Sequence, residues 1–276
     1  MIGFIIPLRP KSQSKNWELD CKLLEATIRS LLNQSSENYK IYVVFSDDPK
    51  IDISSSRLFF VQFPFSFLAF AGIRESASLL DDFGNDPVML ERRWDKSRKI
   101  FYGCKKAKED GSSYVMSVDA DDLVSKQLVH YIEEGVKEKE LPGFYIDKGY
   151  LYKFGSKRMI CVYKDFQNFN GSTHIIKSEF VTIPDFEKGV WMDYNLFTSH
   201  GWIRKRLKDA YGIELEAIPF PAIIYVAHGG NISNLSQLNI KDKMKQFIKK
   251  MVRGKMIDAR VREEFSIPHP PKTKTE

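Results

Sequence analysis

The sequence predicts an α/β protein with a mixed, mainly parallel sheet flanked by helices. Three observations carry that prediction. Short apolar runs at residues 2–6, 40–45 and 114–118 have the length and β-branched content of buried strands. Between the first two runs, Cys21, Leu24, Ile28 and Leu31 recur at helical spacing, and a strand–helix–strand unit of this length makes its two strands parallel. Each run also stops in a charged turn: Pro7-Leu8-Arg9-Pro10, Ser46-Asp47-Asp48-Pro49 and Asp119-Ala120-Asp121-Asp122. In a parallel sheet these turns share one edge, where open α/β sheets bind their ligands.

The remaining elements follow in order. Residues 1–7 are apolar from the start, without a basic leader or small-residue cleavage site, and read as a first strand and not a signal peptide. A third strand is expected at 57–63. Residues 65–93 have no clean period and read as an inserted loop or lid with a helical part. From 91 to 109, Trp94, Ile100, Phe101, Cys104 and Ala107 form an apolar stripe, while Arg92, Arg93, Lys96, Arg98 and Lys99 make the polar face. Past Ser125, Leu128, Tyr131, Ile132 and Val136 mark a helix that runs to the breaker Leu141-Pro142-Gly143. Short β-like runs separated by glycine turns between 144 and 176 suggest a partly antiparallel continuation of the same sheet. Residues 191–207 read as another helix, and 218–226 as an apolar strand ending in Ala227-His228-Gly229-Gly230-Asn231. Near the end, Ile240, Met244, Phe247 and Met251 form one stripe of a lysine-rich helix.

Composition narrows the function classes. With 276 residues, 43% of them hydrophobic, the chain can bury a large core. Cys21, Cys104 and Cys161 stand too far apart for a paired framework or a cysteine zinc site, which fits a reducing compartment. The net charge is +6, but residues 241–262 hold nine Lys/Arg and two Asp, so the rest is close to neutral. A nucleic-acid-binding face on the folded domain is thereby disfavoured. The most apolar patch, 58–72, is interrupted by Gln62, Pro64 and Ser66 and is too short to span a bilayer. The expectation is a cytoplasmic protein with a candidate peripheral membrane contact through 240–262. Asn170-Gly171-Ser172 matches a glycosylation sequon but carries no weight without a secretory leader.

The chemistry concentrates at 119–122. Three carboxylates within four residues repel one another, and a shared divalent cation relieves that repulsion. Mn²⁺ and Mg²⁺ both suit such oxygen ligands. On an extended chain Asp119 and Asp121 face one side and Asp122 the other. Taken with the first two strand ends and the basic helix, this Asp-x-Asp motif resembles the nucleotide-sugar half of GT-A fold glycosyltransferases, most closely the family 2 type of inverting enzymes. The resemblance covers roughly the first half of the chain.

It implies a Rossmann-like GT-A domain over 1–235. Residues 1–125 would be the nucleotide-sugar-binding half and 126–235 the acceptor and catalytic half. A basic amphipathic helical tail at 236–265 and a disordered end at 266–276 would follow. The implied activity moves a sugar from a UDP- or GDP-sugar class donor to a glycan or lipid-linked acceptor, with inversion, in surface polysaccharide or glycoconjugate synthesis. By the same resemblance Asp119 touches the donor and Asp121 holds the cation. His228 is a third metal ligand, Asp47 meets the base, and Pro7 and Arg9 line the nucleotide pocket. Arg98 and Lys99 are candidates for the diphosphate, and Asn231 and Ser233 for phosphates or acceptor. Asp193 falls at the place of the catalytic base, although the usual Glu-Asp pair is here Met192-Asp193; Asp185 and Glu187 stand in reserve.

Plainer readings stand beside these. Asp119 to Asp122 could cap the next helix, Asp47-Asp48-Pro49 could be an ordinary turn, and Asp193 could cap its own helix. Two other functions fit the pattern. One is a sugar-phosphate nucleotidyltransferase, although Pro7 to Lys11 lacks the glycines that a triphosphate loop uses. The other is a non-catalytic nucleotide-sugar or glycan-binding module.

Overall fold

The computed structural model describes residues 1–66, 87–188, 191–228 and 252–268. The chain opens with β1 (Ile2–Pro7), α1 (Trp17–Leu32), β2 (Tyr39–Phe45) and β3 (Leu58–Gln62). Helix α2 (Pro87–Glu109) then returns it to β4 (Tyr114–Ser117), which pairs with β1 on the side opposite β2. The resulting order β4-β1-β2-β3 is parallel throughout. Because the winding reverses at β1, a crevice opens between the carboxyl ends of β1 and β4.

Period-two alternation decides which helix covers which face. Phe4 and Ile6 of β1 pack with Leu24, Ile28 and Leu31 of α1, whereas Ile5 packs with Ile100, Phe101 and Cys104 of α2. Asn16 starts α1 by accepting a hydrogen bond from the Leu19 amide at 3.0 Å. Helix α2 lies close on the sheet at Gly103, where a Cβ would come within 2.5 Å of Ile5 Cγ2.

The second half begins with β5 (Leu123–Val124), α3 (Leu128–Glu138), β6 (Gly143–Ile146), β7 (Gly149–Lys153), β8 (Arg158–Val162) and β9 (His174–Lys177). Next come α4 (Ile203–Tyr211), β10 (Glu216–Ile218), β11 (Ile223–Ala227), β12 (Val252–Met256) and α5 (Ala259–Phe265). Strand β9 joins β4 antiparallel and extends the first sheet to β10-β6-β9-β4-β1-β2-β3.

Several expectations are corrected here. The β-like runs after 144 do not all continue one sheet, since β7 and β8 enter a second, five-stranded sheet, β12-β8-β7-β11-β5. The apolar run 218–226 is two strands in two sheets, because Pro219 and Pro221 remove the donors a continuous strand would need. Residues 191–202 form 3₁₀ turns (Trp191–Phe197 and His200–Trp202) before α4 begins. Residues 252–256, placed in a helical tail, instead form β12 antiparallel to β8. Ile267, expected in a mobile end, is buried with Val261 and Phe265 of α5 against Tyr150 and Met159. The stripe from Ile240 to Met251, Asn231 and Ser233, and most of the expected lid lie outside the described residues. No described helix is long and apolar enough to cross a membrane.

Candidate active site

The expected edge exists: β1, β2 and β4 end together, and a cleft opens over β1 and β4. Pro7, Leu8 and Arg9 line it from the first loop, Arg92, Arg93, Lys96 and Lys99 from α2, and Asp119 and Asp121 from the turn after β4. Phe169, Gly171, the segment from Phe197 to His200, and Tyr225 close the far side.

The three carboxylates converge, but not by strand alternation. The Asp122 amide donates to the Asp119 carbonyl at 3.1 Å, so residues 119–122 form a turn. One oxygen from each of Asp119, Asp121 and Asp122 then lies within 4.8 Å of the others. Asp122 is fully buried, and its Oδ2 accepts from Asn170 Nδ2 at 2.6 Å and from Ser172 Oγ at 2.5 Å. Its Oδ1 is buried without a hydrogen bond. Burial first, then the charges of Asp121 and Asp119, push the Asp122 carboxyl well above the usual carboxylate range. Ser172 Oγ also accepts from the Asp119 amide at 2.7 Å, tying the two acidic positions to one loop. Asn170, the first residue of the sequon, is therefore an internal hydrogen-bond donor at 1% exposure.

Asp119 pairs with Lys96 at 2.5 Å, and Gly171 is what lets the 170–173 loop approach them. A Cβ there would stand 3.0 Å from Asp119 Oδ2 and 3.2 Å from Lys96 Nζ. His228, at the end of β11, places Nε2 2.8 Å from Asp121 Oδ2. A first-half carboxylate thus meets a second-half imidazole across 107 residues of chain. The donor set fits a divalent cation: clustered carboxylates, an imidazole, and a buried carboxylate oxygen with no hydrogen bond.

Other expected residues are placed differently. Lys99 lines the cleft fully buried, donating to the Leu8 carbonyl at 2.9 Å and to Asp95 at 2.8 Å. Burial draws both Lys99 and Asp95 toward neutrality, and their pairing opposes it. Arg9 lines the cleft with Nε 3.5 Å from Asp20, whose carboxylate also accepts from Ser14 at 2.6 Å. Asp47 instead accepts from the Lys11 amide at 2.8 Å, bracing the first loop without lining the cleft. Arg98 points away from it, lying 5.1 Å from the Phe65 ring centre and 5.4 Å from that of Phe63. Asp193 is exposed and lines a separate cavity with Arg206 and Tyr211. Asp185 accepts from the Glu187 and Lys188 amides in an exposed turn, and neither it nor Glu187 lines the cleft.

Sequence reasoning missed Lys96, Asn170, Ser172 and His200 as site residues. Helical spacing could have found the first, since Arg92, Lys96 and Lys99 share one face of α2 whereas Arg98 lies about a third of a turn away. His200 lines the cleft with Nε2 3.3 Å from the Asn168 carbonyl. Burial and the nearby Lys96 lower its pKa, and Asp119 opposes them.

No protein-family model and no curated protein sequence matches the chain. Among solved structures, TarS of S. aureus superposes with a TM-score of 0.50 at 10% identity. The match covers 82% of this chain and 36% of TarS, so this chain spans about a third of that protein. The 1–349 fragment of TarS, crystallised with UDP-GlcNAc, gives a TM-score of 0.47 at 13% identity, over 88% of this chain and 63% of the fragment. The chain has a GT-A-like fold, with a mainly parallel central sheet flanked by helices.

Proposed function

We propose that this chain is a metal-dependent, inverting glycosyltransferase that moves a sugar from a nucleoside-diphosphate donor to an acceptor hydroxyl in glycan or glycoconjugate synthesis. The observation that supports it most is the convergence of Asp119, Asp121 and His228 at a parallel-sheet switch point, directly opposite the basic face of α2. Carboxylates to hold a cation and lysines to hold phosphate are what a diphosphate leaving group needs in one cleft. Asp121 and His228 would hold Mn²⁺ or Mg²⁺, with Asp119 or the free oxygen of Asp122 completing the protein ligands. When bound, the ion would neutralise the diphosphate as it leaves.

Lys96 is placed to exchange Asp119 for a phosphate oxygen, and Arg92 and Arg93 add positive charge to the same wall. Pro7 and Arg9 flank the nucleotide end. Inversion requires a group in the cleft to take the acceptor proton. His200 suits that role by position: it lines the cleft, and with its Nε2–H donating to the Asn168 carbonyl, Nδ1 is left as acceptor. Once a donor is identified, Asp121→Ala should lower metal-dependent donor hydrolysis or sugar transfer by at least about a hundredfold. Activity at the wild-type level in that variant would remove the metal assignment.

One observation favours a second reading, a nucleotide-sugar-binding module without turnover. Asp193 lies off the cleft, and the remaining described carboxylates of the cleft either belong to the acidic cluster or are engaged by Lys99, Arg9 or Ser14. Tight donor binding with no turnover across a broad acceptor panel would establish that reading instead.

A further inference from the structure

We infer that the β7–β8 hairpin and the adjoining edge strand β12 form a face that docks on an anionic bilayer. The inference does not depend on the glycosyltransferase reading. Successive residues of β8 point to opposite sides of the second sheet. Met159 and Cys161 are buried on one side against Val261, Phe265 and Ile267. Arg158 and Ile160 face the other side, opposite Met256 and Gly254 of β12. Around Gly254, among the described residues, that side is open: a Cβ added there would meet no atom within 4 Å.

Two large apolar side chains stand exposed on that side, Ile160 at 36% and Met256 at 53%, and Phe154 at the adjoining hairpin tip is 49% exposed. Burying such groups in the headgroup boundary removes apolar surface from water, which gives a soluble face no reason to carry them together. Around them stand Lys153, Lys157 and Arg158, all exposed, and among the described residues none of these cations forms an ion pair. Arg158 packs its guanidinium against the sulfur of Met256 at 3.1 Å, so charge and apolar surface are interleaved. Cations beside protruding apolar tips complement phosphate headgroups over an acyl layer. A nucleic acid fits less well, because among the described residues the face offers only the ring of Phe154 at its tip and no platform on which successive bases could stack.

The test is co-sedimentation of the full chain with phosphatidylcholine vesicles and with vesicles that also contain phosphatidylserine. Binding is expected only to the second kind. Reversing the charges (Lys153→Glu, Lys157→Glu, Arg158→Glu) should lower partitioning on the order of a hundredfold, since each basic residue near the surface contributes about a factor of five. Phe154→Ser with Met256→Ser should lower it about tenfold with the charges intact. A control with Lys105, Lys137 and Lys205 each changed to Glu matches the net charge elsewhere and should retain binding. Thermal melts confirm that each variant is folded, and the two patch variants act at exposed positions. No binding by the wild type, equal loss in the control, or concentration-dependent self-association abolished by the patch variants would each overturn the proposal.

Discussion

Asp122, buried beside the cleft, has the most demanding environment of the three carboxylates. It is enclosed with two other carboxylates nearby, and Asn170 and Ser172 together satisfy only one of its oxygens. Its pKa is raised in the folded protein, so the native state binds a proton more tightly than the unfolded chain does. Its contribution to stability is therefore fully present below the unfolded carboxylate pKa and is lost as pH rises through the higher folded value. Without metal, Asp122→Asn should flatten this part of the pH dependence and raise the melting temperature at neutral pH. Melting curves in a chelator from acid to neutral pH would check this, and an unchanged pH profile would count against it. At this scale the sequence showed that acid gathers at 119–122, but not that Asp122 is the internal member. That distinction depends on a turn and on a loop some fifty residues later.

At the scale of the element, α2 divides its basic residues between two jobs. Lys96 faces Asp119 across the cleft, whereas Arg98 is 4% exposed among Phe63, Phe65 and Trp94. Lys96→Ala should weaken nucleotide binding about tenfold and change stability by less than about 0.5 kcal/mol. Arg98→Ala should do the reverse, costing about 1–3 kcal/mol through lost ring contacts while the ligand affinity of the folded protein is kept. Denaturant melts and nucleotide titrations on the same two variants separate these outcomes. The apolar stripe of α2 was plain in the sequence because one helix face meets one sheet. Which cation served the ligand was less plain, because nearby charged residues of a helix differ by direction and not by type.

For the whole molecule, the cleft joins β1, β4, α2 and the 170–173 loop to the end of β11, so a ligand seated there ties the two halves of the chain together. Nucleoside diphosphate and Mn²⁺ added together should raise the melting temperature by several degrees, since a ligand at a hundred times its dissociation constant contributes about 2.7 kcal/mol. Either alone should give less, and Asp121→Ala should abolish the joint effect. A shift that is the same with and without metal would contradict a metal-bridged diphosphate. The base that stabilises most identifies the donor class.

The sequence by itself determined the parallel half of the fold. Strands 2–6, 40–45 and 114–118, the helix between the first two and the acidic ends are all written locally, because burial on two faces demands unbroken apolar runs and a short crossover fixes their direction. Only the tertiary structure decided the rest. It split the run at 218–226 between two sheets and turned 252–256 into an edge strand. It also set Asp193 outside the cleft and brought His228 to Asp121. The physical reason is that these outcomes rest on pairings between residues far apart in the chain. Strand propensity can show that a segment will pair, but the partner is chosen by the packing of the whole domain.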